Sequence, residues 1–250
     1  MLEQAMLNQL REVFGRLENP VRLEVYRSGH AKQGELDELL EQLGSTSPRI
    51  EVAAIDEPSD APRFRVIHDG QPNGIRFTGI PGGHEFTSLV LAVLNSDGQG
   101  KLPDQGTQDR VRRLRGPIRL RTFISLSCTN CPDVVQALNL FATLHPDFEH
   151  EMVDGEMVPD EVERLGIQGV PAVMDGETLV SSGKASLSDL LVKREERYGS
   201  EEAQAGAVDL GRFDVAVVGG GPAGVSSAIY TARKGLKTAV IAERFGGQLQ

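Results

Sequence analysis

The sequence has no tryptophan and only two cysteines, and aromatic residues make up just 5% of its 250 positions. Two cysteines cannot build a disulfide-stapled scaffold, so the fold must rest on a hydrophobic core. Basic residues are in the minority as well. Lys and Arg number 26 against 36 Asp and Glu, for a formal net charge of −10. Such a chain repels phosphate backbones, which argues against nucleic-acid binding as its main role. No apolar run approaches the roughly 18 residues of a transmembrane helix. The opening stretch, MLEQAMLNQLREVF, carries an early Glu3 and helical periodicity instead of a basic segment followed by an apolar one. It is therefore not read as a secretory signal, and the reducing cytoplasm is the expected compartment. What the chain does have is 39% hydrophobic and 25% charged residues, a composition that can bury a core in one large domain or a few small ones.

Leu7, Leu10, Val13, Phe14 and Leu17 recur at helical spacing and predict a first helix ending near Asn19-Pro20. Val21–Tyr26 alternates apolar and polar residues, as a half-buried strand does. A helix over Leu36–Leu43, a strand over Ile50–Ile55, strands over Arg63–Asp69 and Gly74–Gly79, and a helix over Phe86–Leu94 follow. Residues 101–117 read as a connector with a short basic helix over Gln108–Arg115. The same order then recurs roughly 100 residues on, which indicates two copies of one unit. Its second copy has strands over Ile118–Ile124, Phe148–Val153, Val170–Met174 and Thr178–Ser182, and helices over Pro132–Leu144, Pro159–Leu165 and Leu187–Val192. Each copy is expected to cover its own sheet with its own helices. The units are placed at 1–100 and 118–195, with a charged, Gly/Ala-rich linker over 196–211. From 212 to 250 the apolar run Phe213–Val218, a helix over Pro222–Lys234 and a strand over Lys237–Ala242 read as a β-α-β unit.

Cys128-Thr129-Asn130-Cys131 lies between an apolar strand and a helix. A helix N-terminus favours a thiolate through its free N–H groups and dipole. Cys128 is thus the candidate nucleophile and Cys131 the resolving thiol of a reversible disulfide. The competing metal reading is C-x2-C-x13-H-x4-H, formed with His145 and His150. Against it, a zinc finger needs both histidines on one helix, and Pro146 ends the helix at His145. Pro171, opening a strand in GVPA, is a candidate cis residue that exposes backbone to a partner chain, or else an ordinary strand-entry proline.

Gly219-Gly220-Gly221-Pro222-Ala223-Gly224 is a G-x-G-x-x-G that follows a strand and opens a helix. Gly219 suits a tight turn, Gly221 lets a pyrophosphate approach the backbone, and Gly224 permits close helix–strand packing. Glu243, about 20 residues beyond, stands where a ribose-binding acid is expected. Gly246, Gly247 and Gln248 are weaker candidates for the same cofactor. Glu85, at a helix entry in the first copy, reads on its own as an acid favoured by the helix dipole.

The stretches GHEFTSLVLAVL (83–94), SLSCTNCPDVVQALNL (125–140), GVPAV (169–173), GGGPAG (219–224) and ARKG…ERFGGQ (232–248) resemble the flavoprotein subunit of bacterial alkyl hydroperoxide reductase, a peroxiredoxin reductase. The resemblance implies an α/β chain of two tandem thioredoxin-like folds, only the second with a CxxC. The first β-α-β of a Rossmann-type FAD-binding domain follows. It implies electrons passing from NADH to FAD, then to the Cys128/Cys131 dithiol and on to a peroxiredoxin subunit, with alkyl hydroperoxides and hydrogen peroxide as final acceptors. It further implies a supporting acid at Glu85, and a homodimer for the full-length protein. Many members carry His after the first Cys, whereas this chain has Thr129. The NADH site and the flavin-proximal CxxC of the family are missing, so the chain reads as truncated. It is expected to fold as the two N-terminal units with a disordered tail and to bind FAD poorly. A general thioredoxin- or glutaredoxin-like reductant and a zinc-stabilised binding module are the alternatives.

Overall fold

The structure is a computed structural model that describes residues 2–201 and 211–242. The chain divides into two compact units, Met1–Glu202 and Ala203–Gln250.

The first unit opens with α1 (Gln4–Phe14), whose Leu10 and Phe14 are buried, as the periodicity predicts. Then come β1 (Val21–Ser28), α2 (Gln33–Gly44), β2 (Ile50–Ser59), β3 (Arg63–His68), β4 (Gln71–Thr78) and α3 (Phe86–Ser96). A short 3-10 turn, Gly83–Glu85, leads into α3. After α4 (Gln105–Arg112), the second copy runs β5 (Ile118–Ile124), α5 (Cys131–Leu144), β6 (Phe148–Asp154), α6 (Pro159–Arg164), β7 (Ala172–Asp175), β8 (Thr178–Ser182) and α7 (Leu187–Tyr198). Helix α4 begins earlier than its sequence pattern suggests because Asp104 caps it, accepting from the Thr107 N–H at 3.0 Å. Strand β7 begins past Pro171, which has no N–H to give a ladder.

The two copies share one strand order, β2-β1-β3-β4 and β6-β5-β7-β8, but they do not form two sheets. Strands β4 and β6 pair in parallel, from Ile75 opposite His150 to Thr78 opposite Val153, and join all eight strands. Separate sheets would leave the edges of β4 and β6 with unpaired backbone groups, and the fusion satisfies both. One continuous apolar core follows, from Leu10 and Phe14 through Phe64, Phe77 and Leu89 to Phe141, Phe148 and Leu191.

On the opposite face, α6 covers a small cluster of Phe123, Val153, Ala172 and Met174. The remainder of that face carries charges that the strand register sets side by side. Arg65 pairs with Glu24 at 2.7 Å, Arg76 with Glu149 at 2.6 Å, and Arg63 and Arg121 with Glu151 at 3.1 and 3.0 Å. Glu151 also accepts from the Thr78 hydroxyl at 2.5 Å. Replacing Glu151 with Ala leaves two half-buried guanidinium groups short of a partner. We expect it to lower unfolding free energy by about 1–3 kcal/mol in urea denaturation.

In the second unit, β9 (Val215–Val218), α8 (Pro222–Arg233) and β10 (Thr238–Ile241) make a β-α-β element, with Thr238 opposite Val215 in parallel. A disordered tail is therefore not what these residues form. Pro222 in the first turn and Gly221 at the cap start α8 locally, and the parallel pairing gives its flanking strands their backbone bonds.

Candidate active site

Strand β5 delivers the chain to the loop Ser125–Asn130, and α5 starts at Cys131. Cys128 and Cys131 form a disulfide with their Cα atoms 5.5 Å apart. Cys131 is fully buried in the core and Cys128 is half-buried at the surface. Only Cys128 Sγ is therefore open to an incoming sulfur. The Cys128 N–H donates to the Ser125 carbonyl at 2.9 Å, which ties the loop to the end of β5. The Val170–Pro171 peptide is cis, and Cys128 Sγ lies 3.8 Å from the Val170 carbonyl oxygen. The Pro171 carbonyl accepts from the Gly183 N–H at 2.9 Å. A groove of about 450 Å³ runs along this loop, lined by Ile167, Gly169, Val170, Met174 and Leu179.

Glu85 is fully buried, and neither of its carboxylate oxygens has a hydrogen-bond partner among the described residues. Burial pushes its carboxyl up to about 7 against a smaller opposing pull from the Ser88 hydroxyl, which falls short of a formed bond. The turn that carries it packs against α5. At Gly83 the backbone comes so near the Leu126 carbonyl that an added Cβ would sit 3.0 Å from that oxygen. The first copy thus places its acid against the dithiol-bearing helix of the second. Glu85 does stand at the helix entry, at the cap of α3, as its sequence position suggests, and it is buried there.

The four metal-candidate residues do not converge. The two sulfurs are bonded to each other. His145 accepts from the Asp147 N–H at 3.1 Å and donates through Nε2 to the Leu114 carbonyl at 2.7 Å. His150 lies between Thr122 Oγ1 and Asn139 Oδ1, each at 2.7 Å. Burial, reinforced by the Arg194 charge, pushes its imidazole down to about 3, so it stays neutral. Among the described residues no group of three or more His, Cys, Asp or Glu stands ready to hold a metal. Sequence reading passed over Asp154, whose Oδ1 accepts from the Glu156 N–H at 3.1 Å while burial pushes its carboxyl up. Its place at the end of β6 beside Gly79 depends on the β4–β6 pairing, which no local pattern signals.

In the second unit, Gly219 has φ +112° and Gly221 caps α8, with Pro222 and Ala223 in the first turn. A Cβ added at Gly224 would overlap the Gly219 carbonyl oxygen, whereas one at Gly221 would meet open space. Close strand–helix packing at Gly224 with open backbone at Gly221 fits a bound pyrophosphate. Glu243, Gly247 and Gln248 lie outside the described residues.

Known families match both parts of the chain. Residues 119–194 match the thioredoxin domain family, and residues 214–250 match the FAD binding domain family. The AhpF protein of Pseudomonas putida alkyl hydroperoxide reductase is 40% identical over 250 residues, covering 100% of this chain and 48% of that protein. A Bacillus subtilis protein named NADH dehydrogenase is 44% identical over 246 residues, covering 98% of this chain and 47% of its own length. The chain thus spans about half the length of the curated relatives it matches. A variant of AhpF from Enterococcus faecalis superposes with a TM-score of 0.70 at 30% identity, covering 77% of this chain and 99% of that one. Among the described residues no helix is long and apolar enough to cross a membrane. By sequence along its whole length and by fold, the chain belongs to the AhpF family.

Proposed function

We propose that the Cys128/Cys131 dithiol passes two electrons to the disulfide of a partner peroxiredoxin, which then reduces alkyl hydroperoxides and hydrogen peroxide. The observation that carries this reading is the asymmetry of the pair, with Cys128 at the surface and Cys131 beneath it at the start of α5. In the reduced protein the Cys128 thiolate attacks one partner sulfur, a mixed disulfide forms, and the other partner sulfur leaves as a thiolate. Cys131 then attacks Cys128 Sγ, which re-forms the internal disulfide and releases the second partner thiol. Two electrons and two protons end on the partner. Glu85 takes the proton of Cys131, a role supported by its burial, its unpartnered oxygens and its carboxyl near neutrality. The Val170 carbonyl, next to Pro171 and facing Cys128, offers backbone contact to the partner.

Gly219, Gly221, Pro222, Ala223 and Gly224 would hold FAD, which when bound would supply a two-electron carrier. In this reading NADH is the donor, the protein pairs as a homodimer, and the cytoplasm is its compartment. Replacing Gly224 with Val forces β9 and α8 apart. The expected result is a purified protein with less than about a tenth of the wild-type flavin content by absorbance, since a single bulky residue in a packed contact costs about 1–3 kcal/mol.

The test of the reading is a thiol count. The chain is reduced, freed of reductant and mixed with the oxidised peroxiredoxin of the same organism. Two thiols lost per chain and two gained by the peroxiredoxin support it. Transfer to insulin at the same rate supports a general reductant instead, and no transfer to either ends the redox reading.

A further inference from the structure

A second groove, of about 370 Å³, is built from both copies at once. Leu91 of α3 comes from the first copy, and Ala137 and Leu140 of α5 from the second. Its charged lining residues are Lys101 before α4, Asp133 in the first turn of α5, and Lys184 ahead of α7. All three are exposed, and neither lysine makes an ion pair or a side-chain hydrogen bond with another described residue. Two unpaired cations against one acid make a local positive excess in a chain whose net charge is −10.

The groove also adjoins the dithiol at two points. Asp133 lies two residues after Cys131, across Pro132, in the first turn of α5. Lys184 follows Gly183, whose N–H is bonded to the Pro171 carbonyl at 2.9 Å. The chain thus leads from the dithiol, and from the Pro171–Gly183 bond, directly into the walls of this groove.

We propose that the groove seats an acidic, partly apolar segment flanking the partner's disulfide, and that Lys101 and Lys184 select acidic over basic flanks. The proposal rests on the oxidoreductase reading and adds to it the chemistry of the partner. Charges at the rim of an interface act chiefly on the rate of encounter and on its salt dependence. Leu91 and Leu187, both half-buried at the groove, give the segment apolar surface to cover, and the α3–α5 junction beneath them joins the two copies.

The test uses the chemically reduced chain and three synthetic peptides of equal length. Each has one internal disulfide flanked by two Glu, two Gln or two Lys. The neutral disulfide lipoamide serves as a control for the dithiol itself. At low salt the Glu peptide is expected to be reduced about tenfold faster than the Lys peptide. At about 0.5 M salt the ratio is expected to fall toward one, because exposed charges are screened within a few ångströms. The double variant Lys101→Glu/Lys184→Glu should invert the order of the peptides, a result that a misfolded protein cannot produce. Asp133→Asn should raise the preference for the Glu peptide. Equal rates for the three peptides with wild-type protein, while lipoamide is still reduced, overturn the groove and leave the redox reading intact. Failure to reduce lipoamide as well takes both down.

Discussion

Cys128→Ser is expected to abolish transfer to a peroxiredoxin disulfide, lowering the rate by at least about 1,000-fold, as loss of a nucleophile does. Cys131→Ser is expected to behave differently. It should react once and stop at a mixed disulfide, visible by mass spectrometry as a covalent adduct of chain plus partner. The difference follows from position, because Cys128 reaches the surface and Cys131 is sealed in the core at the start of α5. The same attack cannot start from Cys131 unless the start of α5 unwinds. An adduct formed by the Cys128→Ser variant, or equal inactivity of both variants, would reverse or remove the assigned roles.

Glu85→Gln is expected to change both stability and reactivity. The folded chain holds this carboxyl up near 7 against an ordinary value of 4.5. Between those values the folded state binds a proton that the unfolded state has released, so stability falls as pH rises through the window. The stabilising contribution is complete below about pH 4.5 and gone above about pH 7, a swing of about 3 kcal/mol. A neutral glutamine does not titrate, so the variant should gain on the wild type steadily across that window and be the more stable protein above pH 7. Urea denaturation of both proteins at intervals from pH 4.5 to 8 measures the difference, and a difference independent of pH would contradict the burial. Dithiol transfer should move the opposite way. Without a proton acceptor for Cys131 it should slow by about 100-fold, and its pH dependence near 7 should disappear. A variant that is more stable and less active is what a buried acid retained for chemistry predicts. A glutamine that leaves the rate profile unmoved would make Glu85 a structural residue only.

Most of the secondary structure was legible in the sequence, for reasons that can be named. Strand β5 starts and stops where IRLRTFI does, because alternation and β-branched content are properties of adjacent residues. Helix α5 begins beside Pro132, and α8 begins at Pro222 behind a glycine cap. Helix α4 was misplaced because its start depends on one carboxylate finding one N–H, at Asp104 and Thr107. The zinc spacing was legible too, and so was Pro146, which speaks against it. Spacing along the chain says nothing of His150 being already bound between Thr122 and Asn139.

By itself the sequence determined the local chemistry. It placed a CxxC at a strand–helix junction, a glycine turn ahead of a helix, and a repeated order of strands and helices, all set by neighbours a few residues apart. Only the tertiary structure decided how the copies combine. The β4–β6 pairing joins Arg76 to Glu149 across 73 positions of chain, and no local pattern specifies which open edge will meet which. That one pairing merges two sheets, brings the turn with Glu85 against α5, and opens the lysine-rimmed groove between α3 and α5. A carboxyl titrates near 7 only when distant residues remove water from it. Desolvation is a property of the packed core, and residues far apart in the chain create it.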